Sequence, residues 1–168
     1  MGGDRLGSDC DEGVEMIVLG IDPNPQTSGW AVWDSCSKTI IGHGTQTNDM
    51  MLTQVKNGRP FYNRIAIERV RSYGQVLGNE TIDTVEWYGG FVHVSTVPVS
   101  LIPRPQILRE WGVANKSSDK YLKEYLVDHY PALFPAAKRG KTGALTVKGW
   151  ESHDMSALAV AIYVGEQL

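Results

Sequence analysis

Cysteine is scarce in this chain. Cys10 and Cys36 are the only two in 168 residues, and they make neither a metal-binding pair nor a disulfide framework. A reducing, cytoplasmic setting is the expectation. Long apolar runs are missing too. None reaches the roughly 20 residues that span a bilayer, and the N-terminus lacks the basic-then-apolar order of a signal peptide. No membrane association is expected. There is no internal repeat and no low-complexity block. Nor does one sign of charge dominate: 16 Lys/Arg stand against 19 Asp/Glu, a net charge of −3. That balance argues against a protein that coats nucleic acid.

What is present is an ordinary globular composition, 42% hydrophobic and 21% charged, in a chain long enough to bury one real core. Residues 1–15, "MGGDRLGSDCDEGVE", are acidic and Gly-rich, the composition of a disordered tail. Residues 16–168 are then the single folded domain. From Arg104 to Lys148, nine Lys/Arg face four Asp/Glu. Such an excess suits either one basic face or a solvated surface with no partner.

"MIVLGI" is β-branched and apolar on both faces, the pattern of a central strand. "SGWAVWDS" returns antiparallel to it, and "TIIGHGTQT" completes a meander. "NDMMLTQVKNG" is a short helix or loop closed by Gly58 and Pro60. "RIAIERV" is a compact strand with Glu68 near its end. Ile82, Val85, Trp87, Tyr88 and Phe91 recur at helical spacing behind Asn79 as a cap. Trp87, Tyr88 and Phe91 belong to the core or to a dimer contact.

"VSTVPVSLIPRPQILREWGV" starts as a strand and enters a short helix. "SSDKYLKEYLVDHY" is helical, capped by Ser117 or Ser118 and stopped by Pro131. "PAAKRGKTGALTVKG" is a loop, and "ESHDMSALAVAIYVGEQL" is a closing helix. This order gives an α/β or α+β fold around a mixed sheet of about five strands flanked by helices.

Three elements distant in sequence each place a metal-competent group at an end. Asp22 ends the first strand, Glu68 ends another, and His153 with Asp154 opens the final helix. Gathered together, carboxylates repel one another unless a cation joins them, and Mg²⁺ takes oxygen ligands of this kind. Phosphodiester cleavage by two metals about 3.5–4 Å apart needs this construction. Each group also has an ordinary reading. An acid after an apolar run is a common turn or helix cap, Glu68 suits an ion pair with Arg69, Arg71 or Arg104, and His153 suits a helix cap.

The motifs carry a resemblance. "GIDPNPQTSGWAV" resembles the first motif of the RuvC family of Holliday-junction resolvases, within the RNase H-like nuclease superfamily. "AIERVRSYG" followed by "GNETIDTVEWYGGF" is similar to the second motif as bacteriophage RuvC-like endonucleases carry it, and "SHDMSALAVAI" to the terminal-helix motif. The ordered set covers most of residues 16 to 165. It implies an RNase H-like fold, a Mg²⁺ site in which Mn²⁺ substitutes, and cleavage of branched DNA in recombination, replication, repair or phage genome processing by a homodimer. By position, Asp22 matches the first-strand acid and Glu68 the second-motif acid. The last motif departs. Many members have two acids, or a His and an acid, three residues apart; here those positions are His153 and Ser156, with an acid moved to Asp154. Asp154 is turned about 100° from His153 on a helix.

For DNA contact the candidates are Arg69 and Arg71 at the rim of the Glu68 site, and Tyr73 in a Gly-bounded loop, placed to stack on an unpaired base or to pack under that loop. Lys138, Arg139 and Lys141 form a basic loop suited to clamp phosphate. Competing readings are a junction-binding protein with weak or no catalysis, motivated by Ser156, and an RNase H-type enzyme on RNA–DNA hybrids. An actin-like sugar kinase shares the opening motif but needs a second lobe and more than about twice this length.

Overall fold

The computed structural model describes residues 16–58, 61–70, 76–113 and 119–167. The expected tail at 1–15, Arg71, Tyr73 and the two serine caps lie outside them. A five-stranded mixed sheet is built from β1 (Ile17–Pro23), β2 (Thr27–Asp34), β3 (Thr39–Thr47), β4 (Arg64–Glu68) and β5 (Val99–Ile102), in the order β3-β2-β1-β4-β5. β1, β2 and β3 form the antiparallel meander, and β4 and β5 extend it in parallel. As expected, β1 sits at the centre, and from Val18 onward all its residues are buried.

Strand alternation divides the core into two layers. Leu19, Ile21, Val32, Ile65 and Ile67 pack with Met51 and Val55 of α1 (Asn48–Asn57) and Phe91 of α2 (Asn79–Val94). Val18, Ala31, Trp33 and Ala66 face the opposite layer. There stand α3 (Arg104–Glu110), α4 (Asp119–His129) and α5 (Ser152–Gly165). Every residue of α5 from Asp154 to Gly165 is buried, as an all-round apolar helix must be. Its seat is made by two glycines. A Cβ on Gly20 would stand 1.9 Å from the Ala157 carbonyl oxygen, and one on Gly29 would stand 2.4 Å from the His153 carbonyl carbon. Only glycine admits backbone this close.

Some expectations are corrected. The segment read as a basic loop is a hairpin of β6 (Ala137–Arg139) and β7 (Leu145–Val147), anchored by Val147 in the core. Its short strands, broken by Gly140 and Gly143, give too little periodicity to read. The cap of α2 is Gly78 rather than Asn79, without a side-chain bond. Cys36 is disulfide-bonded. Among the described residues no helix is long and apolar enough to cross a membrane.

Candidate active site at the strand ends

Parity along the strands aims the site. Asp22 lies on the same side of β1 as Val18 and Gly20, and Glu68 on the same side of β4 as Ala66, so both carboxylates face α5. β1 and β4 are parallel neighbours with Ile21 opposite Ile67, which sets the two acids side by side. Their side chains are 10% and 14% exposed. Burial pushes the Glu68 carboxyl above its ordinary value, and the Asp22 charge pushes it further, against the opposing pull of Arg104.

Each acid meets a base from the α5 side. His153 Nδ1 lies 2.8 Å from Asp22 Oδ2. The Asn24 amide nitrogen is 3.1 Å from the same Nδ1, but donation to the charged carboxylate is the stronger use of that nitrogen. The hydrogen bond to Asp22 raises the His153 pKa above 6.5; burial opposes it, and the charges of Asp22 and Asp119 reinforce it.

Arg104 holds Glu68. Its terminal nitrogen donates to Glu68 Oε2 at 3.0 Å. Nε lies 2.8 Å from Oε1, within ion-pair range but without hydrogen-bond alignment. The register explains the meeting. Ile102 pairs with Glu68 across β4 and β5, and Arg104 begins the helix two residues later. Of the arginines offered as partners for Glu68, Arg104 meets it; Arg69 is exposed, and Arg71 lies outside the described residues. The same guanidinium donates to Ser156 Oγ at 2.8 Å and pairs with Asp119. Asp119 also accepts from Ser152 Oγ at 2.7 Å, tying the first turns of α4 and α5 together. Burial opposes ionisation of Asp119, but the bonds from Ser152 and Arg104 hold its carboxyl below the ordinary value.

Asp154 does not join this group. Its buried carboxylate turns toward β3, two strands away from β1. There it accepts from Thr45 Oγ1 at 2.9 Å and lies 3.3 Å from His43 Nδ1. The His43 ring stacks on Trp150 with centroids 3.6 Å apart. The helical turn between 153 and 154 thus sends the two side chains to different strands. Asn24, Ser156 and Asp119 are the members that the candidate set from sequence lacks, because no residue pattern reports which helix end meets which strand.

Four of the candidate DNA-binding residues lie among the described ones. Arg69 is exposed beside Glu68. Lys138, Arg139 and Lys141 are exposed on the hairpin, and Arg139 pairs with Asp128 of α4 at 2.6 Å. Phe91 is fully buried, and Trp87 donates its indole N–H to the Pro25 carbonyl at 3.1 Å.

Among the described residues, no three His, Cys, Asp or Glu side chains stand together as a ready metal cluster. The donor chemistry nevertheless suits one hard cation. Two buried carboxylates repel each other, and an imidazole touches one of them. A two-ion set is short of an acid, since position 156 is serine and Asp154 faces elsewhere.

No protein-family model and no curated protein sequence matches the chain. Solved structures do. The chain is similar to RuvC of Thermus thermophilus at 18% identity, covering 88% of this chain and 92% of that one with a TM-score of 0.63. A structure of T. thermophilus RuvC in complex with Holliday junction substrate matches at 19% identity over 88% and 90% of the two chains, TM-score 0.58. The yeast mitochondrial Holliday junction resolvase Ydc2 matches at 14% identity over 94% and 87%, TM-score 0.54. The fold is therefore RNase H-like, of the RuvC type.

Proposed function

We propose that the chain is a metal-dependent, structure-selective endonuclease that cuts four-way junctions and related branched DNA. One observation carries this reading: the carboxylates of buried Asp22 and half-buried Glu68 stand side by side on parallel strands, with the His153 imidazole on Asp22. Buried like charges beside each other are a standing cost, and a divalent cation relieves it. Asp22 and Glu68 would hold that cation, with His153 at its edge. When bound, it supplies charge for the phosphodiester transition state and an acidified water.

The chain's own residues do the rest. The strand ends fix the carboxylates, because the sheet leaves them no freedom to splay. His153 donates from Nδ1 to Asp22, which leaves Nε2 as the ring nitrogen that would take or give a proton beside the reacting phosphate. Arg69 and the hairpin cations Lys138, Arg139 and Lys141 supply positive charge for phosphates on the arms. Arg71 and Tyr73, which lie outside the described residues, remain candidate DNA contacts from the sequence alone. Resolving a junction takes two symmetric cuts, so a two-fold homodimer is part of the proposal. The α2 helix, which keeps Ile82 and Val92 exposed, is the proposed contact.

The test is cleavage of a four-way junction, a flap, a linear duplex and an RNA–DNA hybrid, with and without Mg²⁺. Junction cutting that requires Mg²⁺ and leaves linear duplex intact is expected. Tight junction binding with no cutting makes the chain a binding protein, and cutting confined to the hybrid makes it an RNase H-type enzyme.

A further inference from the structure

Arg104 is held more completely than any other cation among the described residues. Its guanidinium reaches both oxygens of Glu68, the hydroxyl of Ser156 and the carboxylate of Asp119. Its side chain is only 20% exposed. Ser156 stands one helical turn after His153, so it faces the same strand ends, and it is 1% exposed. An acid at that position would point at Glu68 and would make a second set of oxygen ligands with it. Serine brings no charge. A guanidinium fills the space between the two side chains and supplies the positive charge there.

We propose that Arg104 replaces a second metal ion: the centre takes no more than a single divalent cation, beside Asp22 and Glu68, while Arg104 bridges Glu68 to Ser156. This rests on the metal-dependent nuclease reading above and adds its stoichiometry. The charge argument is local. Glu68 beside Asp22 needs compensation from two directions, and Arg104 provides one of them permanently, because a guanidinium keeps its proton under any ordinary condition. One terminal nitrogen of its planar guanidinium donates to both Glu68 and Ser156 while the other pairs with Asp119, a spread of contacts that the point charge of lysine does not reproduce. Asp119 anchors the far side of the fork and is itself fixed by Ser152, so the cation is positioned from both α4 and α5. Arg104 is a positioning residue on this account, acting on the ligand set through Glu68.

The experiment is a Mn²⁺ titration of the full chain, followed by the electron paramagnetic resonance signal of the free ion and by calorimetry. Wild type is expected to bind one ion, and Asp22→Asn to abolish it. Arg104→Gln alone should still bind no more than one ion, since Ser156 adds no ligand charge. The pair Arg104→Gln with Ser156→Asp should bind two. Far-ultraviolet circular dichroism verifies that each variant is folded, and Arg104→Lys, binding one ion with weaker affinity, serves if the double variant does not fold. Two ions on wild type would overturn the proposal while leaving the metal-dependent reading intact. So would a folded double variant that still binds one. No Mn²⁺ binding by wild type, with no change in Asp22→Asn, would overturn the metal-dependent reading itself.

Discussion

Asp22 Oδ2 and His153 Nδ1 meet at 2.8 Å across 131 residues of chain. The contact joins the end of the central strand to the first turn of the most buried helix. It stores a pH dependence. His153 has a folded-state pKa above 6.5. Its contribution to stability is complete below that ordinary value and is lost as pH rises through the raised one. Glu68, whose pKa is raised above 4.5, acts with the same sign, because the folded state favours its protonated form and ionisation at higher pH costs stability. In EDTA, the melting temperature should fall from about pH 5 to about pH 8. Added Mg²⁺ should reverse much of that fall. Thermal melts of wild type and His153→Gln across this range measure it, and the variant should show a shallower slope.

Glu68→Gln keeps shape and removes the charge proposed to hold the cation. Single-turnover cleavage of a fixed four-way junction should fall by several orders of magnitude, since metal-stabilised transition-state charge is worth several kcal/mol. Junction affinity in Ca²⁺ should hold or rise, because one repulsive charge near the phosphates is gone. Asp22→Asn should match it. Near wild-type cutting by Glu68→Gln would reduce the acid to an ion-pair partner of Arg104.

The glycine seat beneath α5 makes a stability prediction with an internal control. Gly20→Ala pushes a methyl group into the Ala157 carbonyl, so it should cost about 3 kcal/mol or more. Gly89 has nothing within 4 Å of an added Cβ and lies inside α2. There Gly→Ala should stabilise by roughly 0.5–1 kcal/mol through lower backbone entropy in the unfolded chain. Urea denaturation of both variants gives the two signs directly.

The hairpin cations carry a salt prediction. Neutralising Lys138, Arg139 and Lys141 together should weaken junction binding across DNA sequences. The log–log salt slope should flatten by roughly 0.9 for each phosphate that is no longer neutralised. Arg139→Gln should contribute least, because Asp128 already occupies that guanidinium. Fluorescence anisotropy over a range of salt concentrations measures the slope, and an unchanged slope would take the hairpin off the DNA face.

Some of the centre was legible in the sequence. Strand ends are visible as apolar runs that stop at an acid, so the positions of Asp22 and Glu68 at the ends of β1 and β4 follow from local pattern. The helix start at His153 is equally visible. What lies between those elements is not. Asp154 is adjacent to His153, yet a single residue step on a helix rotates it onto β3 and the His43 ring. Arg104 was one of three arginines open to Glu68, and only the register of β5 against β4 selects it. The hairpin at β6 and β7 escaped for a different reason: its strands of three residues are too short for alternation to be read.

Order of synthesis follows from the place of α5 in the chain. The five strands of the sheet emerge from the ribosome first, and the helix that covers Val18, Ala31 and Ala66 emerges only after residue 152. His153 and Ser156 arrive with it. A nascent chain halted earlier has both carboxylates but neither the imidazole on Asp22 nor the hydroxyl to which Arg104 donates, and it lacks the helix that packs directly on β1 and β2. Folding and assembly of the centre are completed in the same step, so a truncated chain is at once unstable and chemically incomplete.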